Sequence, residues 1–333
     1  RDCRLATMAA VVLVTGGSGL VGQGIRHAVE ENNRGAQWVF LRSAEADLRS
    51  LEQTRAAFQT HKPTHVIHLA ARVGGLFKNM RSKVEMMVEN LDINNNVLKC
   101  CHEFKVAKCV SMSSTCVFPD AIKQYPLTEE VVHDGPPHPS NEGYAYAKRM
   151  IDVLSRYSLG DSAHFARSYN EQYGTNFITV IPTNVFGPHD NYSIEDGHVL
   201  PGLMHKLYIA KSKNEDFTIW GTGKPLRQFI FSYDLGRLMV WSLFDYAEKL
   251  PLLLVPDAAE ETSIGDVAMQ LCDVAQFTGQ CKFDTTKADG QFKKTASNER
   301  LRSFNPSFKF TPLREALQIT WDWFTAHYDT CRK

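Results

Sequence analysis

The sequence predicts an α/β fold, with a doubly wound parallel sheet followed by a smaller C-terminal lobe. Residues 11–14 (VVLV) have the pattern of a strand that is buried on both faces. Three glycines spaced three apart follow this strand, and an amphipathic helix comes directly after them. Further apolar strands alternate with helical segments as far as Ile181, an order typical of parallel sheets. We therefore expect a first domain over residues 8–186, with returning segments near 228–258, and a second domain mainly over 187–333.

The glycine-rich turn predicts a dinucleotide site of the Rossmann-like kind. Glycine suits this position because a Cβ atom would hold the pyrophosphate away from the backbone. Backbone N–H groups and the positive end of the helix dipole then lie beside the phosphate. The alternative is an ordinary glycine-rich turn, which requires neither the strand before it nor the helix after it. The residues predicted to contact the cofactor here are Gly16, Gly17, Ser18, Gly19, Leu20, Val21 and Gly22.

The end of the second strand favours NADP(H) over NAD(H). Residues 38–41 (WVFL) form this predicted strand, and Arg42 follows it. In the usual dinucleotide fold, an acidic residue about 20 positions beyond the glycines binds the ribose 2′-hydroxyl. A guanidinium at this point attracts a 2′-phosphate instead. Asp47 is expected to contact the adenine. The alternative is that Arg42 is a solvated surface arginine.

Composition and charge exclude several classes of partner. The 333 residues contain 37 Lys and Arg and 37 Asp and Glu, so the net charge is zero, whereas binders of nucleic acid or anionic membranes usually carry a basic excess. No apolar run approaches the ~20 residues that a membrane helix needs. The first ten residues are too polar and too short for a signal peptide. The eight cysteines show no zinc spacing, so we expect no metal site and a cytoplasmic protein with reduced thiols.

Later strands supply further candidate site residues. The third predicted strand, residues 65–69 (HVIHL), leads into small residues that allow a cofactor to approach, and we place Leu69, Ala70 and Ala71 in the cofactor site. Residues 108–112 (KCVSM) and 177–181 (FITVI) are predicted as strands, with helices over 86–104 and 144–155. Residues 227–233 and 252–255 are predicted as strands that return to the first domain.

One constellation of residues indicates proton transfer. Tyr144 and Lys148 are four apart on a predicted helix and therefore share a face. A free tyrosine has a pKa of about 10, and a neighbouring ammonium is expected to lower it towards working pH. Ser114 follows the preceding strand, and its hydroxyl can stabilise an oxyanion together with Tyr144. Taken singly, Ser114 is more often a turn residue and Tyr144 an interfacial core residue.

These motifs together resemble the extended short-chain dehydrogenase/reductase family. The resemblance rests on Gly16-x-x-Gly19-x-x-Gly22, Ser114 and Tyr144-x-x-x-Lys148. Residues 113–119 (SSTCVFP), 181–191 (IPTNVFGPHDN) and 197–201 (GHVLP) narrow it to epimerase-reductases of GDP-sugars. It implies NADPH-dependent conversion of GDP-4-keto-6-deoxy-D-mannose to GDP-L-fucose, by epimerisation at carbons 3 and 5 and reduction at carbon 4. It also implies a homodimer.

The same resemblance implies a role for each site residue. Cys116 is expected to be the base and His198 the acid of epimerisation, since a thiol near cations has a lowered pKa and histidine titrates near neutrality. Tyr144 is expected to protonate the alkoxide and to contact the cofactor, and Lys148 is expected to bind the nicotinamide ribose. Pro182, Thr183, Asn184, Val185 and His198 are implied at the nicotinamide end, and Lys206, Trp220, Arg227 and Asp289 at the substrate.

Residues 157–169 depart from the pattern of the family and are interpreted as an insertion that lengthens or interrupts the Tyr144 helix. This departure bears on the oligomer more than on the active site. Two other functions remain open at this point. One is a nucleotide-sugar epimerase or dehydratase that retains NAD, and the other is a non-catalytic module that senses dinucleotide. Cys116, His198 and Arg42 favour the reductase over the first, and the set Ser114, Tyr144 and Lys148 argues against the second.

Overall fold

A six-stranded parallel sheet forms the centre of the computed structural model, which describes residues 9–155, 169–287, 289 and 291–333. The described strands are β1 (Val11–Thr15), β2 (Gln37–Leu41), β3 (His65–His68), β4 (Lys108–Met112), β5 (Phe177–Pro182), β6 (Asn184–Phe186), β7 (Phe217–Trp220), β8 (Leu226–Arg227), β9 (Phe229–Phe231), β10 (Leu252–Leu254), β11 (Thr262–Ser263) and β12 (Cys281–Asp284). The described helices are α1 (Leu20–Glu31), α2 (Leu51–His61), α3 (Leu76–Arg81), α4 (Lys83–Glu103), α5 (Glu142–Ser155), α6 (Tyr169–Tyr173), α7 (Val199–Lys213), α8 (Ser232–Phe244), α9 (Ile264–Val274), α10 (Glu299–Phe304) and α11 (Leu313–Ala326).

The order of strands places a crevice beside the glycine-rich turn. The sheet runs β10-β5-β4-β3-β1-β2, and every neighbouring pair is parallel. The chain moves outward from β1 to β2 and then crosses back to β3 on the other side of β1. In open parallel sheets, ligands bind outside the carboxyl ends of the strands at such a reversal. The predicted doubly wound α/β fold is confirmed.

Strand β1 shows why the sheet is covered on both faces. Its side chains alternate, so Val12 and Val14 pack with α1 and α8, whereas Leu13 packs with α2 and α4 on the opposite face. All three side chains are fully buried. A strand buried on both faces is necessarily a continuous apolar run, which is why the sequence predicted it.

The segments after β5 build a separate apolar core. Side chains of α7, α9, α11, β6, β7 and β9 form this second cluster. Residues 252–254 join the central sheet as predicted, pairing with β5. The predicted single strand over 227–233 is wrong. Gln228 interrupts it, because its side-chain amide bonds the backbone of Pro256 and Ala296, and Ser232 already begins α8. The resulting strand β9 pairs with β6 instead of joining the central sheet.

Three further sequence predictions concern the insertion, the cysteines and membrane-spanning helices. The predicted insertion, apart from Tyr169, lies outside the described residues. The seven cysteines within the described ranges are free thiols. Among the described helices, none has the length and apolar character needed to cross a membrane.

Candidate active site

A pocket of about 800 Å³ opens at the carboxyl ends of the central strands. The ends of β1, β2, β3, β4 and β5 all contribute to its wall. Most of the predicted cofactor residues line it: Gly16, Ser18, Gly19, Leu20, Val21, Gly22, Arg42, Asp47, Leu69, Ala70, Ala71, Tyr144, Pro182, Thr183, Asn184, Val185 and His198. Residues from six separate stretches of chain therefore meet at one cavity.

The glycine-rich turn forms a cradle that side chains would fill. Gly16 has φ of +69°, and a Cβ there would lie 2.9 Å from the Ala70 nitrogen. At Gly22, a Cβ would lie 2.6 Å from the Gly17 oxygen, so this glycine lets α1 start close against the turn. The first N–H groups of α1 have no partner within their own helix, and the residues that carry them, Leu20, Val21 and Gly22, line the pocket. This cradle fits the pyrophosphate of a dinucleotide.

Gly17 differs from its neighbours in the turn. Its N–H donates to the Leu41 oxygen at 3.0 Å, and a Cβ on it would lie 2.7 Å from the Phe40 Cβ. It does not line the pocket. The structure therefore gives Gly17 a packing role beneath the turn, between β1 and β2. A glycine motif alone cannot separate these two uses.

Arg42 lies at the end of β2, on the rim of the pocket. Its side chain is 64% exposed and bonds to Glu45, with Nε 3.2 Å from Oε2. Asp47 is held by Arg49, whose Nε lies 2.9 Å from Oδ1, so its carboxylate is already occupied. Arg49 and Arg72 also line the pocket, at the end where Arg42 lies. The sequence does not predict them as site residues, because nothing in the local pattern separates them from surface arginines. The adenosine end is thus rich in guanidinium groups.

Ser114, Tyr144 and Lys148 meet where β4 ends. Ser114 begins a short 3₁₀ turn and accepts a hydrogen bond from the Cys116 N–H at 3.4 Å. Lys148 is 1% exposed and donates from Nζ to the Met112 oxygen at 2.8 Å, which ties α5 to β4. Its Nζ lies 5.7 Å from the centre of the Tyr144 ring. Lys148 does not line the pocket itself, but it supports the wall that Tyr144 and Ser114 form.

The predicted lowering of the Tyr144 pKa is wrong for this arrangement. Burial raises the pKa of Tyr144 well above its ordinary value, and the nearby Cys116 adds to the rise. Burial also lowers the pKa of Lys148 to about 8. The charge of the lysine alone would lower the pKa of Tyr144, but desolvation, which raises it, is the larger effect here. Tyr144 therefore keeps its proton at neutral pH, as a proton donor must.

Desolvation also moves the pKa values of Cys116 and His198 away from those that the sequence predicts, in opposite directions. Cys116 is 8% exposed, does not line the pocket itself and shares an apolar cluster with Tyr144. Burial raises its pKa, although Lys294, the Ser114 hydroxyl, Lys148 and Arg149 all act to lower it. The His198 ring is exposed to the pocket, yet the surrounding protein desolvates it and lowers its pKa, as does Arg332. Both groups are therefore mainly neutral before they act.

A buried polar chain fixes α5 against the sheet. Thr15 Oγ1 lies 2.8 Å from His68 Nδ1, and His68 Nε2 lies 3.1 Å from Asn94 Oδ1. Asn94 in turn donates to the Ala147 oxygen, one residue before Lys148. Burial lowers the pKa of His68 to about 3, so this ring stays neutral. The chain links β1, β3 and α4 to the helix that carries Tyr144.

The four predicted substrate residues form a second group outside the pocket wall. Lys206 Nζ lies 4.3 Å above the Trp220 ring, and burial lowers its pKa to about 8. Asp289 accepts hydrogen bonds from the Thr222 N–H at 2.9 Å and from its hydroxyl at 2.7 Å. Arg227 interacts electrostatically with Asp289. The structure thus brings all four near one another, on β7, β8, α7 and the loop after β12.

Comparison with known protein families identifies the class of enzyme to which this chain belongs. The model of the NAD dependent epimerase/dehydratase family matches residues 12–251. The chain belongs to this family.

Within that family, the chain is most similar to enzymes of one kind among the relatives compared. GDP-L-fucose synthase of Dictyostelium discoideum is 57% identical over 328 residues, which cover 98% of this chain and 99% of the relative. The probable GDP-L-fucose synthase of Drosophila melanogaster is 46% identical, over 97% and 99% of the two chains. The crystal structure of a GDP-L-fucose synthetase from Naegleria fowleri bound to NADP is 47% identical, covers 97% of this chain and 96% of that one, and has a TM-score of 0.89. The chain is therefore grouped with GDP-L-fucose synthases.

Proposed function

We propose that this protein converts GDP-4-keto-6-deoxy-D-mannose to GDP-L-fucose with NADPH as the reductant. The observation that supports this most is that Ser114 and Tyr144 both line the pocket at the end of β4, beside the glycine cradle. Cys116 does not line the pocket itself, but its N–H donates to the Ser114 hydroxyl. Named relatives of high identity support the same reaction. The similarity to NADP-bound GDP-L-fucose synthetase favours a consumed reductant over a retained NAD.

Epimerisation needs a base and an acid on opposite faces of the sugar ring. The 4-ketone makes the hydrogens on carbons 3 and 5 acidic, so Cys116 as thiolate removes a proton and leaves an enolate. The Ser114 and Tyr144 hydroxyls donate hydrogen bonds to the enolate oxygen. His198 as imidazolium returns a proton to carbon on the other face. The cations that act on Cys116 stabilise its working form.

Reduction at carbon 4 then requires a proton for the new alkoxide. NADPH supplies the hydride when it is bound. Tyr144 donates its phenolic proton to the oxygen, and its raised pKa suits this role because an alkoxide is more basic still. Lys148, held on the Met112 oxygen, has further donor capacity for the nicotinamide ribose.

The second group of residues is suited to a nucleotide diphosphate and its sugar. Lys206 and Arg227 can pair with phosphate oxygens. Trp220 offers an aromatic face for stacking, and Asp289 has acceptor oxygens for hydroxyl groups. These assignments follow the resemblance and fit the observed clustering.

The test is turnover by the purified full chain. One NADPH should be oxidised per GDP-4-keto-6-deoxy-D-mannose consumed, and NMR should identify GDP-L-fucose as the product. A protein that converts the sugar without consuming NADPH would be an epimerase or dehydratase that retains its cofactor. No conversion with NADPH present would reject the enzymatic proposal.

Arg42→Ala is expected to weaken NADPH binding about tenfold, which corresponds to about 1.4 kcal/mol, and to leave NADH binding nearly unchanged. The reason is that Arg42 lies on the pocket rim with an exposed guanidinium that can pair with a 2′-phosphate. Fluorescence titration with each cofactor measures this. Arg26→Ala is the matched control, because Arg26 is exposed on α1 and lies outside the pocket wall. Equal loss for both cofactors would remove Arg42 from phosphate binding.

We further propose a homodimer, formed through α4 and α5. Val84 is 71% exposed, and Val88 and Met150 are also exposed on these two packed helices, an apolar surface that a second copy would cover. The double variant Val84→Asp/Val88→Asp should shift the protein from dimer to monomer in sedimentation velocity, because burying two carboxylates is costly. Met269→Asp, at an exposed position on α9, should leave the dimer intact. A wild-type monomer at micromolar concentration would contradict this proposal.

The division into lobes and the cellular location belong to the same proposal. Residues 8–186 with 228–258 form the cofactor domain, and 187–333 mainly form the substrate domain, which agrees with separate apolar cores for the sheet and for α7, α9 and α11.

Free thiols at the described cysteines agree with the cytoplasm. Limited proteolysis and cell fractionation, respectively, test these assignments.

A further inference from the structure

Lys294 is a cation beside the reaction site that no motif in the sequence indicates. It lies in the segment between the loop after β12 and α10. Desolvation lowers its pKa to about 8, and Cys116 is the first of the charged groups that act on it. Conversely, Lys294 is the first of the groups that act to lower the pKa of Cys116. The two side chains therefore interact through a poorly solvated region.

The backbone explains why Lys294 faces this way. Thr295 and Ser297 bracket Leu127, with Leu127 N donating to the Thr295 oxygen and Ser297 N to the Leu127 oxygen, both at 2.8 Å. This bridge is that of a parallel pair of strands, in which successive side chains point to opposite sides. Alternation therefore predicts that residues 293 and 295 share one side and residues 294 and 296 the other.

The contacts of the neighbours agree with this alternation. Lys293 Nζ lies 3.3 Å from Glu261, and the Thr295 hydroxyl donates to the same carboxylate. Ala296 is fully buried in the cluster that contains Cys116. Lys293 is thus neutralised on one side, while Lys294 is directed to the side of Cys116.

Lys294 has no competing partner in the described ranges. It makes no hydrogen bond or ion pair with a described residue. Arg227 acts on it as a second cation, and Asp120 interacts with it without forming an ion pair. On the side of Cys116, the remaining facing groups are Lys148, Arg149, Ser114 and Tyr144. An unpaired ammonium in such a place is costly unless an anion forms nearby.

We propose that Lys294 is a positioning residue, whose ammonium stabilises the Cys116 thiolate that acts as the base of epimerisation. The proposal rests on the base role of Cys116 given above. When the thiol loses its proton, an ion pair forms in a region of low polarity, which favours the ionised state of both groups. When Cys116 takes a proton from the sugar, the pair is lost, so Lys294 acts through Cys116 without contacting the carbon.

Alkylation of Cys116 measures this effect without substrate or turnover. The full chain is treated with iodoacetamide from pH 6 to 10, and mass spectrometry follows the peptide that contains Cys116. In Lys294→Met the midpoint for Cys116 should rise by about one pH unit, with about tenfold slower alkylation near neutrality. Lys294→Arg should retain most of the wild-type profile, because it keeps the charge.

Lys293→Met is the matched control, since its ammonium pairs with Glu261 on the other side of the segment and should leave the Cys116 midpoint unchanged. Reduction of the already epimerised ketone shows that each variant is folded. An unchanged midpoint in a Lys294→Met protein that still reduces this ketone would overturn the proposal. Equal shifts for both lysine variants would do the same, because they would indicate a general surface effect. Failure of the base role appears separately, as normal proton exchange in Cys116→Ser.

Discussion

Cys116→Ser is expected to slow proton exchange at carbons 3 and 5 of the sugar by roughly 10² to 10⁴-fold, the usual contribution of a positioned acid–base group. Reduction of the already epimerised ketone should change by less than about threefold. A serine hydroxyl has nearly the same size as the thiol, but it remains protonated in a site that is only 8% exposed. The loss should therefore fall on the step that needs a base.

Incorporation of deuterium from D₂O, followed by NMR, measures the exchange, and NADPH absorbance measures the reduction. Cys101→Ser is a matched control, because Cys101 is a fully buried thiol on α4, in a different apolar cluster from Cys116. It should leave both steps intact. Equal loss of exchange and reduction in Cys116→Ser would remove Cys116 from the base role.

The wild-type exchange should also depend on pH in a definite direction. Burial raises the pKa of Cys116, so the thiolate fraction and the exchange rate should increase as the pH rises through neutrality. His198 has a lowered pKa, so its acid form decreases over the same range and should oppose the increase at high pH.

Tyr144→Phe is expected to produce the opposite pattern. Reduction should fall by roughly 10² to 10⁴-fold, because no phenolic proton remains for the alkoxide at carbon 4. Exchange at carbons 3 and 5 should fall less, since Ser114 still donates to the enolate oxygen and Cys116 is unchanged. Removal of one oxyanion donor costs about 10² to 10³ in the largest cases, which bounds this smaller effect.

NADPH binding by Tyr144→Phe should stay within about threefold of wild type, which fluorescence titration checks and which excludes gross damage to the pocket. Tyr146→Phe, two residues along the same helix and therefore on a different face, is the control and should retain both steps. Reduction at the wild-type rate in Tyr144→Phe would assign the proton donor to another group. Together, the Cys116 and Tyr144 variants separate the two halves of the reaction.

Local pattern was sufficient for most of the cofactor site. The apolar run of β1, the glycines after it and the small residues after β3 each carry their own signal, because both faces of the sheet are covered and the pyrophosphate requires bare backbone. The pair Tyr144 and Lys148 could be predicted for a similar reason, because the helical repeat places both residues on one face. Gly17 shows the limit of such patterns, because its N–H serves β2 and not the pocket.

The sequence by itself determined the parallel sheet, the position of the dinucleotide turn and the residues that meet at the end of β4, because each follows from spacing along one or two elements. Only the tertiary structure decided the protonation of Cys116, Tyr144 and His198, the division of the 226–231 segment into two strands, and the approach of Lys294 to Cys116. Desolvation is the physical reason for the first, since a pKa depends on every atom around the group and not on its neighbours in the chain. For the others, the deciding contacts join residues 28 or more positions apart, such as Gln228 with Pro256 and Leu127 with Thr295, and no local period records them.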